Sequence, residues 1–511
     1  MNGRLTRSKH IIYLGYQMKV LLYNPPNEPI KLAEGLWTVR EYKHSGFNIP
    51  GINVISMARI AGDLREKVSG IQLTVQDARI QGQSPEAFYT MVASNHFDVV
   101  ITLAGCFTIK HDLQYIPPQK NILKIVCPLP ASIPVDELVE QYRPAADVLT
   151  TTEVNQPLVE ALIEYAANGE ITRTAGLMVR KRNVWSNTGP ANLTDWSKAA
   201  PAAFELFPFK TYLDIQTKNK NIKFLYLTQF GCPYGCSYCS QAKQRLQMID
   251  AKTVVEELQY FVDTIGFKNI SFIDNEFPIV KKRSIQICKG IIKRGLQFSW
   301  TCSNRVELAN DQLYALMSQS GCKSILYGLE TGDPDLKKNI NKTHDEKIVK
   351  SAIDLTRKHK MIPSSFLMFG IPGETKDSVR TTLAFLKRVG VEHFSTSILF
   401  PTPGSPLYRE LKSRGKLKET DWSVYKYQTE LLFEHDQYTS IKDVKRNQLW
   451  LTKRMFVHVA YRKMKAKKTV MTIAAFCAYF LYWISPSDLL FTIWKRLPVS
   501  MKSVFKRILV T

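Results

Sequence analysis

Cys232, Cys236 and Cys239 fall within eight residues, in the stretch FGCPYGCSYCS from Phe230 to Ser240. The chain has nine cysteines, and the other six (Cys106, Cys127, Cys288, Cys302, Cys322 and Cys477) stand singly in apolar segments. That scatter suits reduced thiols better than a disulfide framework. A structural zinc site wants four ligands, commonly from paired knuckles. Beyond Cys239 the next cysteine is Cys288 and the next histidine His344, so no fourth ligand is near. Three thiolates from one loop suit a [4Fe–4S] cluster with one iron left open to a substrate or cofactor. Gly231, Pro233 and Gly235 let the backbone wrap closely, and Tyr238 places an aromatic wall beside the last ligand.

Such a loop needs a scaffold. Residues 18–153 alternate apolar runs with amphipathic ones: KVLLYN (19–24), IQLTVQDA (71–78), DVVITLAG (98–105), NILKIVCP (121–128) and ADVLTTTE (146–153) read as buried strands. Helical spacing over 56–68, 85–95 and 134–143 falls between them, which predicts a parallel, doubly wound, Rossmann-like domain. Residues 154–220 carry turn signals and weak periodicity and are expected to be a linker region. A second series of six βα units spans 221–406, starting with FLYLTQF (224–230) and ending with HFSTSILFPTPGS (393–405). Six units predict a partial (β/α)6 barrel, with the cysteine loop after its first strand, at the end where barrel enzymes place chemistry. The fold class is therefore α/β, with a basic helical region over 407–511. Residues 1–17 precede the first strand and are read as an extension.

At 511 residues the chain is too long for one core. Net charge is +24, and from Ile441 to Thr511 fifteen Lys or Arg face two acids, Asp443 and Asp488. The apolar run VMTIAAFCAYFLYWI (470–484) is shorter than the ~20 residues a spanning helix needs. Basic segments flank it, so 470–511 is expected to touch a membrane surface peripherally, as a basic amphipathic helix does. No secretory signal is legible at the N-terminus, and a cytoplasmic protein, peripheral to the inner membrane face, is expected.

C-x3-C-x2-C with an aromatic residue before the third cysteine resembles the radical S-adenosylmethionine (SAM) enzymes. FIDNEF (272–277), YGLETG (327–332), FGIPGET (369–375) and PTPGSPLY (401–408) resemble strand-end segments of the subgroup with an N-terminal cobalamin-binding domain. The resemblance covers residues 18 to about 430. It implies that Cys232, Cys236 and Cys239 ligate three irons, that the fourth iron chelates SAM, and that reductive cleavage of SAM yields a 5′-deoxyadenosyl radical. It also implies an electron donor such as flavodoxin or ferredoxin. Glu330, Arg305, Asp274, Glu276 and Tyr238 are the polar candidates for positioning SAM. Gly370 and Gly373 are expected as turn positions beside the adenine. His393 and His435 read as structural.

The N-terminal domain departs from the subgroup at two places. Arg79 stands in DARIQG (77–82) where many such domains carry a cobalt-ligating histidine, and VCPLPAS (126–132) lacks the usual glycine pair. Gly105 and Thr108 remain as residues that could accommodate the cobalamin tail. The resemblance implies a cobalamin-dependent C-methyltransferase acting on a small or lipid-like substrate. Two alternatives are non-methylating ring formation, oxidation or rearrangement with a degenerate cobalamin domain, and tRNA modification. A nucleic-acid partner is not expected, because basicity is the only signature for one.

Overall fold

The computed structural model describes residues 17–26, 52–78, 83–105, 108–129, 134–143, 145–151, 154–191, 194–196, 199–218, 223–418, 422 and 430–467. The first sheet contains β1 (Met18–Asn24), β2 (Ile71–Asp77), β3 (Val99–Gly105), β4 (Leu123–Leu129) and β5 (Val148–Thr150) as parallel neighbours in the order β2-β1-β3-β4-β5. β1 and β3 are buried along nearly their whole length, as continuous apolar runs in a two-sided parallel sheet should be. The helices Ile52–Lys67, Pro85–Asn95 and Val135–Tyr142 follow the expected ones at 56–68, 85–95 and 134–143.

Within the expected linker region, 154–220, two strands join this sheet. β6 (Leu177–Lys181) and β7 (Val184–Asn187) extend the same sheet as an antiparallel hairpin, giving seven strands. Its two-residue turn holds Arg182 at φ +47° and Asn183 at φ +66°. A two-residue hairpin loop needs positive φ at both central positions, which is ordinarily signalled by Asn-Gly or Asp-Gly. Arg-Asn carries only half of that signal, so the hairpin is hard to see in sequence. The rest of 154–218 is docked too: Asn155 Nδ2 donates to Asp63 Oδ2 at 3.0 Å, the Ala200 amide donates to Asp63 Oδ1 at 3.0 Å, and the Tyr212 hydroxyl bonds Asp77.

The second sheet has six parallel strands in the order β15-β14-β13-β12-β11-β8, an open partial barrel. They are β8 (Phe224–Tyr226), β11 (Asn269–Phe272), β12 (Ser299–Asn304), β13 (Cys322–Glu330), β14 (Ile362–Phe369) and β15 (His393–Ile398). β9 (Gln229–Cys232) and β10 (Gln244–Met248) form a separate antiparallel ribbon that sequence reading did not foresee. Asp250, Asn310, Asp345 and Thr375 cap four of the intervening helices by accepting from backbone N–H groups of the first turn.

One hydrophobic cluster runs from the first sheet through the barrel to the helix Ile441–Lys467, which buries Val444, Leu451 and Met455. A buried ion pair reinforces the join between domains. Arg59 Nη1 and Nη2 reach Glu257 Oε1 and Oε2 at 2.9 and 2.8 Å, and the Tyr226 hydroxyl bonds the same carboxylate. A second join is the helix Pro406–Ser413: Tyr408 donates to Glu137 Oε2 at 2.5 Å and packs with Trp422 and Leu138. Among the described residues no helix is long and apolar enough to cross a membrane. The expected membrane-surface segment 470–511 lies outside the described residues, as do Arg79, Gly82 and Cys106.

Candidate functional site

The β9–β10 ribbon pairs Cys232 with Gln244 and so closes the cysteine loop at its base. Gly231 turns the chain into the loop at φ +77°, where a Cβ would sit 2.1 Å from the Arg245 carbonyl oxygen. Glycine alone fits this turn without displacing backbone. The loop is then gripped from two sides. From the segment after β13, Ile340 O accepts from the Ser237 amide (3.0 Å), Asn339 O from Ser237 Oγ (3.2 Å), and Asn341 Nδ2 donates to Gly235 O (2.7 Å). From the helix Pro406–Ser413, the Leu407 amide donates to Ser237 O at 2.7 Å.

Cys232, Cys236 and Cys239 are all free thiols. Burial pushes the Cys232 thiol up, and it pushes the Cys239 thiol up to about 11, against the opposing pull of the Gln241 amide. Thiols so disposed stay protonated until a metal displaces the proton, which is the usual route to thiolate ligation. Three free cysteines on one backbone-clamped loop offer the donor set of a cluster with an open iron, while among the described residues no three His, Cys, Asp or Glu side chains already stand together as a metal site. Arg305 lies beside them: its guanidinium stacks 4.1 Å from the Tyr234 ring centroid, places Nη1 at 3.9 Å from Cys236 Sγ, and pairs with Glu307 at 3.3 Å.

Glu330 ends β13 with φ +59°, just past a register shift between Gly328 and Glu330. A non-glycine residue in this region is strained, and such strain concentrates at functional sites. Its Oε1 accepts from the Tyr238 hydroxyl at 2.9 Å and from Lys342 Nζ at 2.9 Å. Burial and then the Glu330 charge hold the Tyr238 phenol well above its ordinary range, so it remains a donor.

Asp274 and Glu276 separate in role. Asp274 is fully engaged at the exit of β8, accepting from the Thr228 amide (2.7 Å), Thr228 Oγ1 (2.6 Å) and the Gln229 amide (3.1 Å). That commits Asp274 to shaping the loop's entry. Glu276 Oε2 and Gln229 Oε1 are buried and have no hydrogen-bond partner among the described residues. Burial pushes the Glu276 carboxyl up to about 7, against Lys342 and Arg305. Unpaired buried polar atoms are rare enough to need an explanation, and a bound ligand supplies one.

Gly370 (φ +77°) and Gly373 (φ +85°) do form the expected turn. A Cβ on Gly370 would meet Val444 at 3.4 Å, and one on Gly373 would meet Asn339 Nδ2 at 3.1 Å. The turn is tied to the C-terminal region: Glu374 Oε1 accepts from Tyr438 (2.8 Å), Glu374 Oε2 accepts from the Gly370 amide (3.1 Å), and His435 Nε2 lies 2.9 Å from Ile371 O. Burial outweighs these bonds and pushes the Glu374 carboxyl from 4.5 up to about 7. A carboxyl raised in this way stabilises the fold while protonated, and that contribution is lost as pH rises from 4.5 through 7. The unfolding free energy should therefore fall over this window by about 3–4 kcal/mol more for wild type than for Glu374→Gln, at about 1.4 kcal/mol per pKa unit. Parallel profiles for the two proteins between pH 4.5 and 8 would contradict this.

In the first sheet, the Gly105 amide donates to Asp112 Oδ2 at 2.9 Å, and Thr108 Oγ1 donates to the same oxygen at 2.6 Å. A Cβ on Gly105 would meet Thr108 Oγ1 at 2.7 Å, so Gly105 closes a turn on its own neighbours. The segments 79–82, 106–107 and 130–133, which would border a ligand beyond these strand ends, lie outside the described residues.

Sequence reasoning missed Lys342, His344, Tyr234 and Gln229. Lys342 and His344 belong to NKTHD (341–345), a polar inter-helix stretch without a motif. Burial, then Lys337 and Lys342, depresses the His344 imidazole to about 3, so it is neutral, and its buried Nε2 has no partner among the described residues.

Residues 226–386 match the profile of the Radical SAM superfamily. An uncharacterized methyltransferase of Pyrococcus horikoshii is 26% identical over 294 residues, which is 57% of this chain and 63% of that protein. The bacteriochlorophyllide d C-12(1)-methyltransferase of Chlorobaculum tepidum is 26% identical over 201 residues, 38% of this chain and 43% of that protein. The chain thus spans less than two thirds of the length of each of these curated relatives. The solved structure of the cobalamin-dependent S-adenosylmethionine radical enzyme OxsB, with aqua-cobalamin and S-adenosylmethionine bound, superposes with a TM-score of 0.68. It is 14% identical, and the match covers 94% of this chain and 75% of that one. The superfamily match falls on the barrel that carries the cysteine loop, and the superposition takes in the seven-stranded domain as well. The barrel thus carries the radical SAM superfamily profile, and the fold of the chain, its seven-stranded N-terminal domain included, resembles that of OxsB.

Proposed function

We propose that this protein is a cobalamin-dependent radical SAM C-methyltransferase acting on an unactivated carbon of a small or lipid-like substrate. The observation that carries the reading is the clamped loop of three free thiols beside a buried, strained carboxylate at the mouth of the barrel. The relatives named as methyltransferases support the transfer of a methyl group. When bound, the cluster supplies the electron that cleaves SAM, and cobalamin supplies a methyl carrier. The chain's own residues bind and orient. Cys232, Cys236 and Cys239 hold the cluster. Glu330, with one oxygen occupied by Tyr238 and Lys342, turns its other oxygen to the SAM ammonium or ribose. Glu276 and Gln229 offer unpaired polar atoms to the same ligand, and Arg305 sits where a carboxylate could pair with it by a charge-assisted bond. Reduction calls for a donor of the flavodoxin or ferredoxin class.

Anaerobic purification after expression with cobalamin, followed by metal analysis, tests this. About four irons and one cobalt per chain are expected. Four irons without cobalt would overturn methyl transfer through cobalamin and favour non-methylating radical chemistry. Absence of both would overturn the enzyme assignment.

A further inference from the structure

The clamp on the cysteine loop carries an uncommon passenger. Between Asn341, which donates to Gly235 O, and His344, whose imidazole is held neutral, stands Lys342, with a side chain only 8% exposed. Its Nζ lies 2.9 Å from Glu330 Oε1 and 3.4 Å from the Tyr238 hydroxyl, one residue from the third cysteine. The ammonium fills a notch that exists because residue 328 is glycine: a Cβ there would stand 2.3 Å from Nζ and 2.6 Å from Glu330 Oε1. Burying such a pair is a poor route to stability, because desolvation cancels much of the attraction and an apolar pair of equal volume does as well. Its placement therefore asks for another reason.

Two effects of that placement point to the cofactors. First, Lys342 and Tyr238 occupy a single oxygen of Glu330, which fixes the plane of the carboxylate and leaves its second oxygen for a ligand. Second, Nζ stands 3.4 Å from the hydroxyl of Tyr238, the residue before Cys239, which brings a positive charge to the third cysteine of the loop. Burial alone would lower the Lys342 pKa, but Glu330 and then Cys236 outweigh it, so the group stays charged.

We propose that Lys342 is a positioning residue of the site, aligning the Glu330 carboxylate toward SAM and raising the reduction potential of the cluster beside it. This rests on the reading that Cys232, Cys236 and Cys239 hold a [4Fe–4S] cluster. A positive charge close to the thiolates favours the extra electron on the cluster, and charge and hydrogen bonding near the sulfurs are recognised levers on that potential. Without the ammonium, Glu330 keeps only the Tyr238 hydroxyl on its Oε1 and loses the charged partner that fixes the plane of its carboxylate.

The test is an EPR-monitored redox titration of anaerobically purified full-length wild type, Lys342→Met and Lys342→Arg, each with and without SAM. Lys342→Met is expected to keep its iron, to bind SAM at least tenfold more weakly, and to be at least tenfold harder to reduce, a shift of 59 mV or more to negative potential for one electron. Lys342→Arg should restore most of the potential, because it keeps the charge. A Met variant with full iron, wild-type potential and wild-type SAM affinity overturns the proposal. If the Met variant loads no iron, the Arg variant decides: a potential near wild type supports the role of the charge, and one displaced by tenfold or more overturns it. Wild type that binds no iron rejects the cluster reading itself, a result distinct from a Lys342 effect of zero.

Discussion

Any one of Cys232→Ala, Cys236→Ala and Cys239→Ala is expected to reduce iron from about four per chain to near zero, and SAM cleavage to background. A cluster held at three corners does not survive on two, because the remaining thiolates no longer balance the irons' charge or exclude water. The fold should survive, since the loop is held by other groups. The β9–β10 ribbon, the Asn341–Gly235 bond and the Leu407–Ser237 bond do not involve the sulfurs. Cys236 is the most buried of the three, so its alanine variant leaves the largest void, yet one sulfur atom costs only about 1 kcal/mol. The measurement is iron content with thermal melts on the same samples. An alanine variant that keeps four irons would show that another group ligates in place of that cysteine. A variant that loses iron and unfolds as well would show that the loop depends on its sulfurs for structure.

Glu257→Ala should give the largest loss of stability. It leaves the Arg59 guanidinium buried without its carboxylate, removes the acceptor of the Tyr226 hydroxyl, and opens the contact between the N-terminal domain and the barrel. Breaking one side of a buried pair costs about 3–5 kcal/mol. Arg59→Met with Glu257→Leu should recover most of it, because both charges leave together and apolar volume replaces them. Guanidinium denaturation followed by tryptophan fluorescence separates the cases, since Arg59 also lies over the Trp196 ring at 5.6 Å. If the single and double variants unfold at the same midpoint, the pair contributes nothing beyond packing.

Much of this protein is legible in its sequence where periodicity is strong. The five parallel strands of the first sheet and the six barrel strands fall where apolar runs bounded by turn residues put them, because buried parallel strands leave a continuous apolar signature. β2, however, expected to be buried, lies at the sheet edge and is mostly half-exposed. The β6–β7 hairpin escapes because Arg182 and Asn183 adopt positive φ without a glycine to announce it. The β9–β10 ribbon escapes because QRLQM has little apolar content, and its pairing partner is the cysteine segment itself. At the site, the three cysteines are legible through spacing, and Glu330 through its place at a strand end. Lys342 is not, because what makes it notable is burial beside a carboxylate from another element, and a lysine in a polar stretch ordinarily faces water. Asp274 shows the converse: its strand-end position suggests ligand contact, while Thr228 and Gln229 take up its oxygens.

The backbone at Glu330 has a consequence for anyone engineering this protein. A residue held at φ +59° is one that a stability screen would replace with glycine, which adopts that conformation freely. Glycine there would relieve the turn, and it would also remove the carboxylate that Lys342 and Tyr238 are arranged around, stranding a charged lysine in the interior. Local comfort and site chemistry pull in opposite directions at this one position. Thermostabilised variants chosen by melting temperature alone would therefore tend to drift away from a working site, and position 330 belongs among those held constant from the start.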